Sequence, residues 1–459
     1  MSILNINDLA LKLVALDFSD GHMPNNGGPT KTSRALAIIH LAAHDAYAQI
    51  AKPTILKVKL KSIPIPPSTL GNSPAISCAA LLGAGLRAAK LLYPDFEKFI
   101  AAEAAKLIPN NICCEQDLAF KYGEQVANAW IESRKNDGSQ APQLDSLYNP
   151  APGHHRPDPL DPNQQTLGRN WGLVTPFELS NVSLDAPLNP PPKLDDSTIY
   201  VIDPDDCYPV KHDIKYSDAF KEVIKDGKQD LPSRDPEKAV VGIFWGYDGA
   251  NKIGVPPRIY NQVVRAIKEF KVLPHDEQIK ILTAINVAMA DAGIAAWYWK
   301  YQYDFWRPVV GIREADAGWG PQGQGDGNSL TKGDPFWLPL GAPNSNPVKK
   351  PASNGTPGFP AYPSGHATFG AACFKTAAAL LKKDPKNIEL EFVSDEFNGV
   401  TTDNTGVVRP KYKAKFTLAK AICDNNESRI WLGVHWRFDA VGGDKVGTAI
   451  AKKVASTFQ

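Results

Sequence analysis

The chain has 459 residues, 43% of them apolar and 22% charged, a balance ordinary for a soluble globular protein and long enough for more than one core. The 50 Lys and Arg against 49 Asp and Glu leave a net charge of +1, which excludes a general attraction to nucleic acid or to an anionic membrane surface. The six cysteines (Cys78, Cys113, Cys114, Cys207, Cys373, Cys423) show no regular spacing and no CxxC pair, so reduced, mostly buried thiols are expected.

The opening MSILNINDLALKLVALDFSDG lacks a basic start and carries Asp8, Asp17 and Asp20. It does not read as a secretory signal, and a cytoplasmic location is expected. Apolar residues at helical spacing then predict helices over TSRALAIIHLAAHDAYAQI (Thr32–Ile50), SPAISCAALLGAGLRAAKLL (Ser73–Leu92), DFEKFIAAEAAKLI and EQDLAFKYGEQVANAWIESRK, an N-terminal bundle over 1–135. Residues 136–236 turn polar and rich in Pro and Asp (NPAPGHHRPDPLDP, NPPPKLDD) and predict an irregular connecting region. Helices resume in KAVVGIFWGYDG, in PRIYNQVVRAIKEF and in a long segment from about Asp276 to Trp306. A Gly/Pro/Asn-rich loop follows over Ala315–Pro363. The stretch from YKAKFTLAKAICDNNESRIW to the end is read as helical, completing a C-terminal bundle over 237–459. The most apolar window, Ile281 to Trp299, is broken by Thr283, Asn286 and Asp291, so a buried core helix is predicted rather than a membrane span. No stretch alternates convincingly as a strand and no tandem repeat appears. The predicted fold is all-α: two packed helical bundles with long irregular loops.

Three patches in the C-terminal half carry chemistry. In KYQYDFWRP, Lys300 and Arg307 stand two helical turns apart and are read as sharing one face, among Trp297, Trp299, Phe305 and Trp306. Cations on a partly dry wall call for an anion. In YPSGHATFG, Pro363 and Ser364 mark a helix start, where a hydroxyl, the Gly365 amide and the helix dipole favour negative charge, with His366 one residue inside. In SRIWLGVHWRFDAVGG, Arg429 and His435 are separated by a bend at Gly433, and Asp439 lies four residues beyond His435, placed to orient its ring. Three cations, neutral donors and two histidines make a cage for a tetrahedral oxyanion, with imidazoles left to bond its central atom and to move protons.

The order K-x6-RP, PSGH, SR-x3-G-x-H-x3-D resembles the signature shared by vanadium-dependent haloperoxidases and the type 2 phosphatidic-acid-phosphatase superfamily, over roughly Trp245 to Gly443. The resemblance implies that Lys300, Arg307, Ser364, Gly365 and Arg429 hold the oxygens of vanadate, that His435 bonds vanadium, and that His366 serves as acid/base at the apical oxygen. FWGYDGANKIGVPPRIYNQ is similar to the haloperoxidase branch, where the acid at Asp248 pairs with Arg429. Trp297 and Phe359 match positions that line the halide side of the pocket. The implied activity is vanadate-dependent oxidation of halide by hydrogen peroxide to hypohalous acid, followed by halogenation of a small organic acceptor. No nucleic acid or membrane span is expected, and a homo-oligomer is compatible with the sequence. The alternative is an acid phosphatase using the same cage, with His435 attacking phosphorus and His366 protonating the leaving group.

Other candidates are expected to be structural. His40, His44 and Asp45 could form half a metal site but lack a third ligand, and are read as packing residues. His154 and His155 sit in a turn without an identifiable partner. The acidic loops Asp203–Cys207 and Asp316–Asp326 could bind calcium but are read as solvated.

Overall fold

In the computed structural model, residues 2–108, 113–142, 148–201, 213–341, 355–402 and 407–459 are described. The N-terminal half contains α1 (Ile3–Asp17), α2 (Gly28–Ala51), α3 (Pro74–Leu92), α4 (Glu97–Leu107) and α5 (Cys114–Ser133). Among its described residues the connecting region carries a 3-10 turn at Trp171–Leu173, α6 (Val182–Asp185), the two-residue strands β1 (Tyr200–Val201) and β2 (Asp213–Ile214), and α7 (Tyr216–Asp226). The C-terminal half contains α8 (Pro236–Phe244), α9 (Pro256–Ala266), α10 (Lys268–Lys271), α11 (His275–Tyr303), α12 (Pro308–Arg313), α13 (Gly365–Leu381), α14 (Leu418–Trp431) and α15 (Arg437–Thr457). The fold is all-α. α2, α3 and α5 pack together, α11, α13 and α15 form a second group, and α2 packs against α11 to join the halves.

Two sequence expectations fail locally. YKAKFT, read as the start of a helix, is instead β4 (Lys413–Thr417), paired antiparallel with β3 (Glu389–Val393). The ELEFV of β3 alternates exposed and buried positions, a period-two pattern short enough to be lost among helical signals. The thiols differ too: Cys423 is disulfide-bonded, while Cys78, Cys113, Cys114 and Cys373 are free and only Cys373 is buried. Irregular cysteine spacing gives no sign of such a pairing.

The axis of the second group is α11, where residues from Gln278 to Trp297 are buried on every face. Its polar interruptions are satisfied inside the protein. Asn286 exchanges hydrogen bonds with Asn261, and the Asp291 carboxylate accepts from the amides of Phe177, Glu178 and Leu179. α11 and α3 are each long and apolar enough to cross a bilayer, but the apolar window of α11 is wholly buried within the protein, as in a core helix. α13 and α15 approach closely because glycine faces backbone: a Cβ on Gly443 would lie 2.5 Å from Ser364 O, and one on Gly447 2.5 Å from Thr368 O. That contact sets the N-terminus of α13 against that of α15, and the site lies between them.

Candidate active site

Lys300 lies fully buried in the last turn of α11. Asp304 takes the left-handed conformation at the helix C-cap, so Arg307 is not on the helix but at the N-cap of α12. The shared helical face read from their spacing is therefore wrong. The two cations converge instead on one extended segment: Lys300 Nζ donates to the carbonyls of Pro360, Ala361 and Pro363 at 2.7, 3.0 and 2.6 Å, and Arg307 Nε donates to Phe359 O at 2.9 Å. All three N–H bonds of Lys300 are thus engaged.

Ser364 caps α13, its Oγ accepting from the Ala367 amide at 3.4 Å, and its own amide donates to Asp439 O at 2.8 Å. Gly365 opens the helix against the ring of Trp297. His366 follows, its carbonyl held by Tyr260 Oη and Asn425 Nδ2. The His366 Nε2 lies 2.6 Å from Gly246 O and 3.7 Å from Asp248 Oδ1, so Nε2 carries the proton and Nδ1 the lone pair. Burial, then Arg429, brings its pKa down to about 3, which keeps the ring neutral near pH 7.

α14 ends at Trp431, and Gly433, at φ +73°, turns the chain so that the amides of Val434 and His435 return to Arg429 O. Arg429 donates both terminal nitrogens to Asp248, at 3.0 and 2.9 Å. Asp439 Oδ2 does two things: it caps α15 by accepting from the Trp436 amide, and it accepts from His435 Nδ1 at 2.9 Å. His435 Nε2 is left as an acceptor, 2.9 Å from Arg307 Nη1. Burial, then Arg307, holds the His435 pKa well below the ordinary range, while burial raises Asp439 to about 7.

Two donors in this cluster have no hydrogen-bond partner although buried: Arg307 Nη2 and Arg429 Nε. Burial also pushes Lys300 well below its ordinary pKa and Arg307 down to about 9, each cation opposed by a neighbouring arginine. Partnerless donors among mutually repelling buried cations are the condition an oxyanion relieves. The Trp297 and Phe359 rings, 4.8 Å apart, form the adjoining wall, and Lys300 Nζ stands 5.1 Å from the Phe359 ring centre. The structure thus brings Lys300, Arg307, Ser364, Gly365, His366, Arg429, His435, Asp248, Asp439, Trp297 and Phe359 into one region.

Sequence reasoning missed the carbonyls that engage Lys300 and the Gly246 carbonyl at His366, since backbone acceptors leave no mark in a motif. His155, read from sequence as a turn residue without an identifiable partner, is buried, has no partner at Nδ1, and is brought down to about 3 by burial and then by Arg307. The remaining candidates lie outside the site. His40 bonds Asn7 and Leu36 O, and His44 bonds Asp45, which also accepts from the amides of Lys59 and Leu60. His154 pairs with Asp304. Among the described residues no three His, Cys, Asp or Glu side chains cluster to hold a metal ion, the loop from Asp316 to Asp326 included. Asp203–Cys207 lies outside the described residues.

A two-bundle helical fold with buried cations and histidines gathered at its helix junctions is the class that fold and geometry define. The family model described as "VCPO second helical-bundle domain" matches residues 280–459. Vanadium chloroperoxidase of Curvularia inaequalis is 31% identical across 90% of this chain and 75% of that protein. The chain belongs to the vanadium-dependent haloperoxidase family. A bacterial vanadium-dependent iodoperoxidase structure superposes with a TM-score of 0.71, covering 98% of this chain and 95% of that one at 20% identity. A holo-type bacterial vanadium-dependent chloroperoxidase gives 0.61, covering 94% and 93% at 17% identity. Both are likenesses of fold.

Proposed function

We propose that this protein oxidises a halide ion with hydrogen peroxide to hypohalous acid in a vanadate-dependent reaction, and that the product halogenates a small organic acceptor. The observation that carries the reading is the pair of buried, partnerless donors, Arg307 Nη2 and Arg429 Nε, beside the lone pair of His435 Nε2. Arg307, Arg429, Ser364 and the Gly365 amide would hold the vanadate oxygens, and His435 Nε2 would bond the metal. Lys300 would join them by exchanging one of its three carbonyls, and otherwise supplies positive charge from a fixed position. Vanadate bound there supplies Lewis-acid activation of peroxide.

The chain's own residues do the rest. Asp439 fixes the His435 tautomer by accepting from Nδ1. Neutral His366 takes a peroxide proton at Nδ1, its Nε2–H remaining on Gly246 O. Asp248 holds Arg429 through two parallel hydrogen bonds. Trp297 and Phe359 exclude water on the side where the halide would approach. The test is peroxide-dependent halogenation with and without added vanadate, run separately for chloride, bromide and iodide. Activity that appears with vanadate for at least one halide is expected; no activity with any halide overturns the reading.

A further inference from the structure

Trp297 and Phe359 also line a cavity of about 440 Å³ whose remaining walls come from the first turn of α2, the loop after α5 and the segment around Trp171. Two residues lining it are more than nine-tenths buried and carry polar atoms without a hydrogen-bond partner: Ser139 Oγ and Trp171 Nε1. One is a hydroxyl that can donate or accept, the other a donor only. A further polar wall is the start of α2, where Gly27 offers no side-chain cap to the first-turn amides and Lys31 stands exposed at the rim.

The walls are fixed in place. Asp137, next to this loop, is held by Arg34 and Arg134, accepts from the Ser139 amide, and gives its carbonyl to the Thr175 amide, while Arg134 also bonds Thr175 O and Pro176 O. Such a network presents Ser139 in one position.

We propose that this cavity binds the organic acceptor, and that the acceptor is an electron-rich aromatic such as a phenol bearing a carboxylate. The volume suits a single substituted ring. The rings of Trp171, Trp297 and Phe359 offer stacking surfaces, Ser139 and Trp171 offer hydrogen bonds, and the α2 N-terminus with Lys31 favours the carboxylate. The inference rests on the haloperoxidase reading and gives it a substrate class. Halide transfers two electrons to peroxide, with one proton, to give hypohalous acid and water. At the bound ring the oxygen–halogen bond then breaks, a carbon–halogen bond forms, and the displaced ring proton leaves with hydroxide as water.

The test is calorimetric titration of the protein, without peroxide or halide, with 4-hydroxybenzoate and with its neutral analogue 4-hydroxybenzamide. Both should bind saturably, the carboxylate more tightly. Lys31→Gln should weaken the carboxylate by about three- to tenfold and leave the amide unchanged. Ala141→Phe, which fills the cavity from an exposed position on the same loop, should weaken both by at least about tenfold. Absence of saturable binding to wild-type protein overturns the inference, as does an unchanged affinity in both variants; should Ala141→Phe fail to fold, Lys31→Gln decides alone. Binding is read without turnover, so binding with no halogenation removes the haloperoxidase reading and with it the acceptor role, leaving the cavity a site for the ring acid, whereas halogenation with no binding removes only this inference.

Discussion

Arg307 Nη1 stands 2.9 Å from His435 Nε2, and Asp439 Oδ2 stands 2.9 Å from the opposite nitrogen of the same ring. The guanidinium can only donate, so the lone pair of His435 points toward the cage and its proton toward the carboxylate. Asp439→Asn tests this assignment. An amide can present N–H to Nδ1 and reverse the tautomer, so vanadate affinity should fall by about 10- to 100-fold while circular dichroism stays helical. Unchanged affinity would mean that His435 is not oriented through Asp439.

The two partnerless donors predict a graded effect of the arginines. Arg307→Ala and Arg429→Ala should each slow halogenation by roughly 10²–10³, the scale of one preorganised oxyanion donor. Arg307→Lys should recover little of this, because an ammonium cannot reach Phe359 O, Val434 O and His435 as the fork does. Full activity in Arg307→Lys would reduce the role of that residue to charge alone.

How far the sequence discloses this site depends on what each residue is bonded to. Ser364, Gly365 and His366 are legible because a helix start has local chemistry, and His435 with Asp439 because four residues bring them together. Lys300 and Arg307 are legible as motif members, but their geometry is not: the left-handed Asp304 breaks the helix between them, and the common target is the backbone from Phe359 to Pro363. Sequence periodicity also finds the long helices, whereas β3 and β4 need a pairing across 19 intervening residues that no local pattern announces. Ser139 and Trp171 are invisible as site residues, because only tertiary packing, such as that of the turn at Trp171–Leu173 directly on α11, brings them to the cavity beside Trp297.

Buried His40 gives a pH-dependent prediction away from the chemistry. Burial lowers its pKa from 6.5 to about 4, so between those values the unfolded chain binds a proton that the folded chain refuses. Stability therefore falls as pH drops through this window, by about 1.4 kcal/mol per pH unit and about 3 kcal/mol in all. His40→Gln should remove that share of the acid dependence in urea unfolding at pH 7, 6 and 5. An identical pH slope in the variant would show that His40 titrates normally in the folded protein.

The proposed cage would recognise charge and tetrahedral shape, which vanadate and phosphate share, so the two functional readings can be set against each other in one protein. Arg307 Nη2 and Arg429 Nε are free to meet either anion, and inorganic phosphate should compete with vanadate for the site. Without vanadate, the lone pair of His435 Nε2 would serve as a nucleophile once Arg307 Nη1 turns from it to the phosphate, and slow hydrolysis of an activated phosphate ester such as p-nitrophenyl phosphate should be measurable. Vanadate should abolish that hydrolysis over the same concentration range in which peroxide-dependent halogenation appears, because one site serves both. His435→Ala should lose both activities together. Rapid ester turnover combined with no halogenation of any halide would assign the cage to phosphoryl transfer, and Trp297 and Phe359 would then be an apolar wall without a halide to shelter.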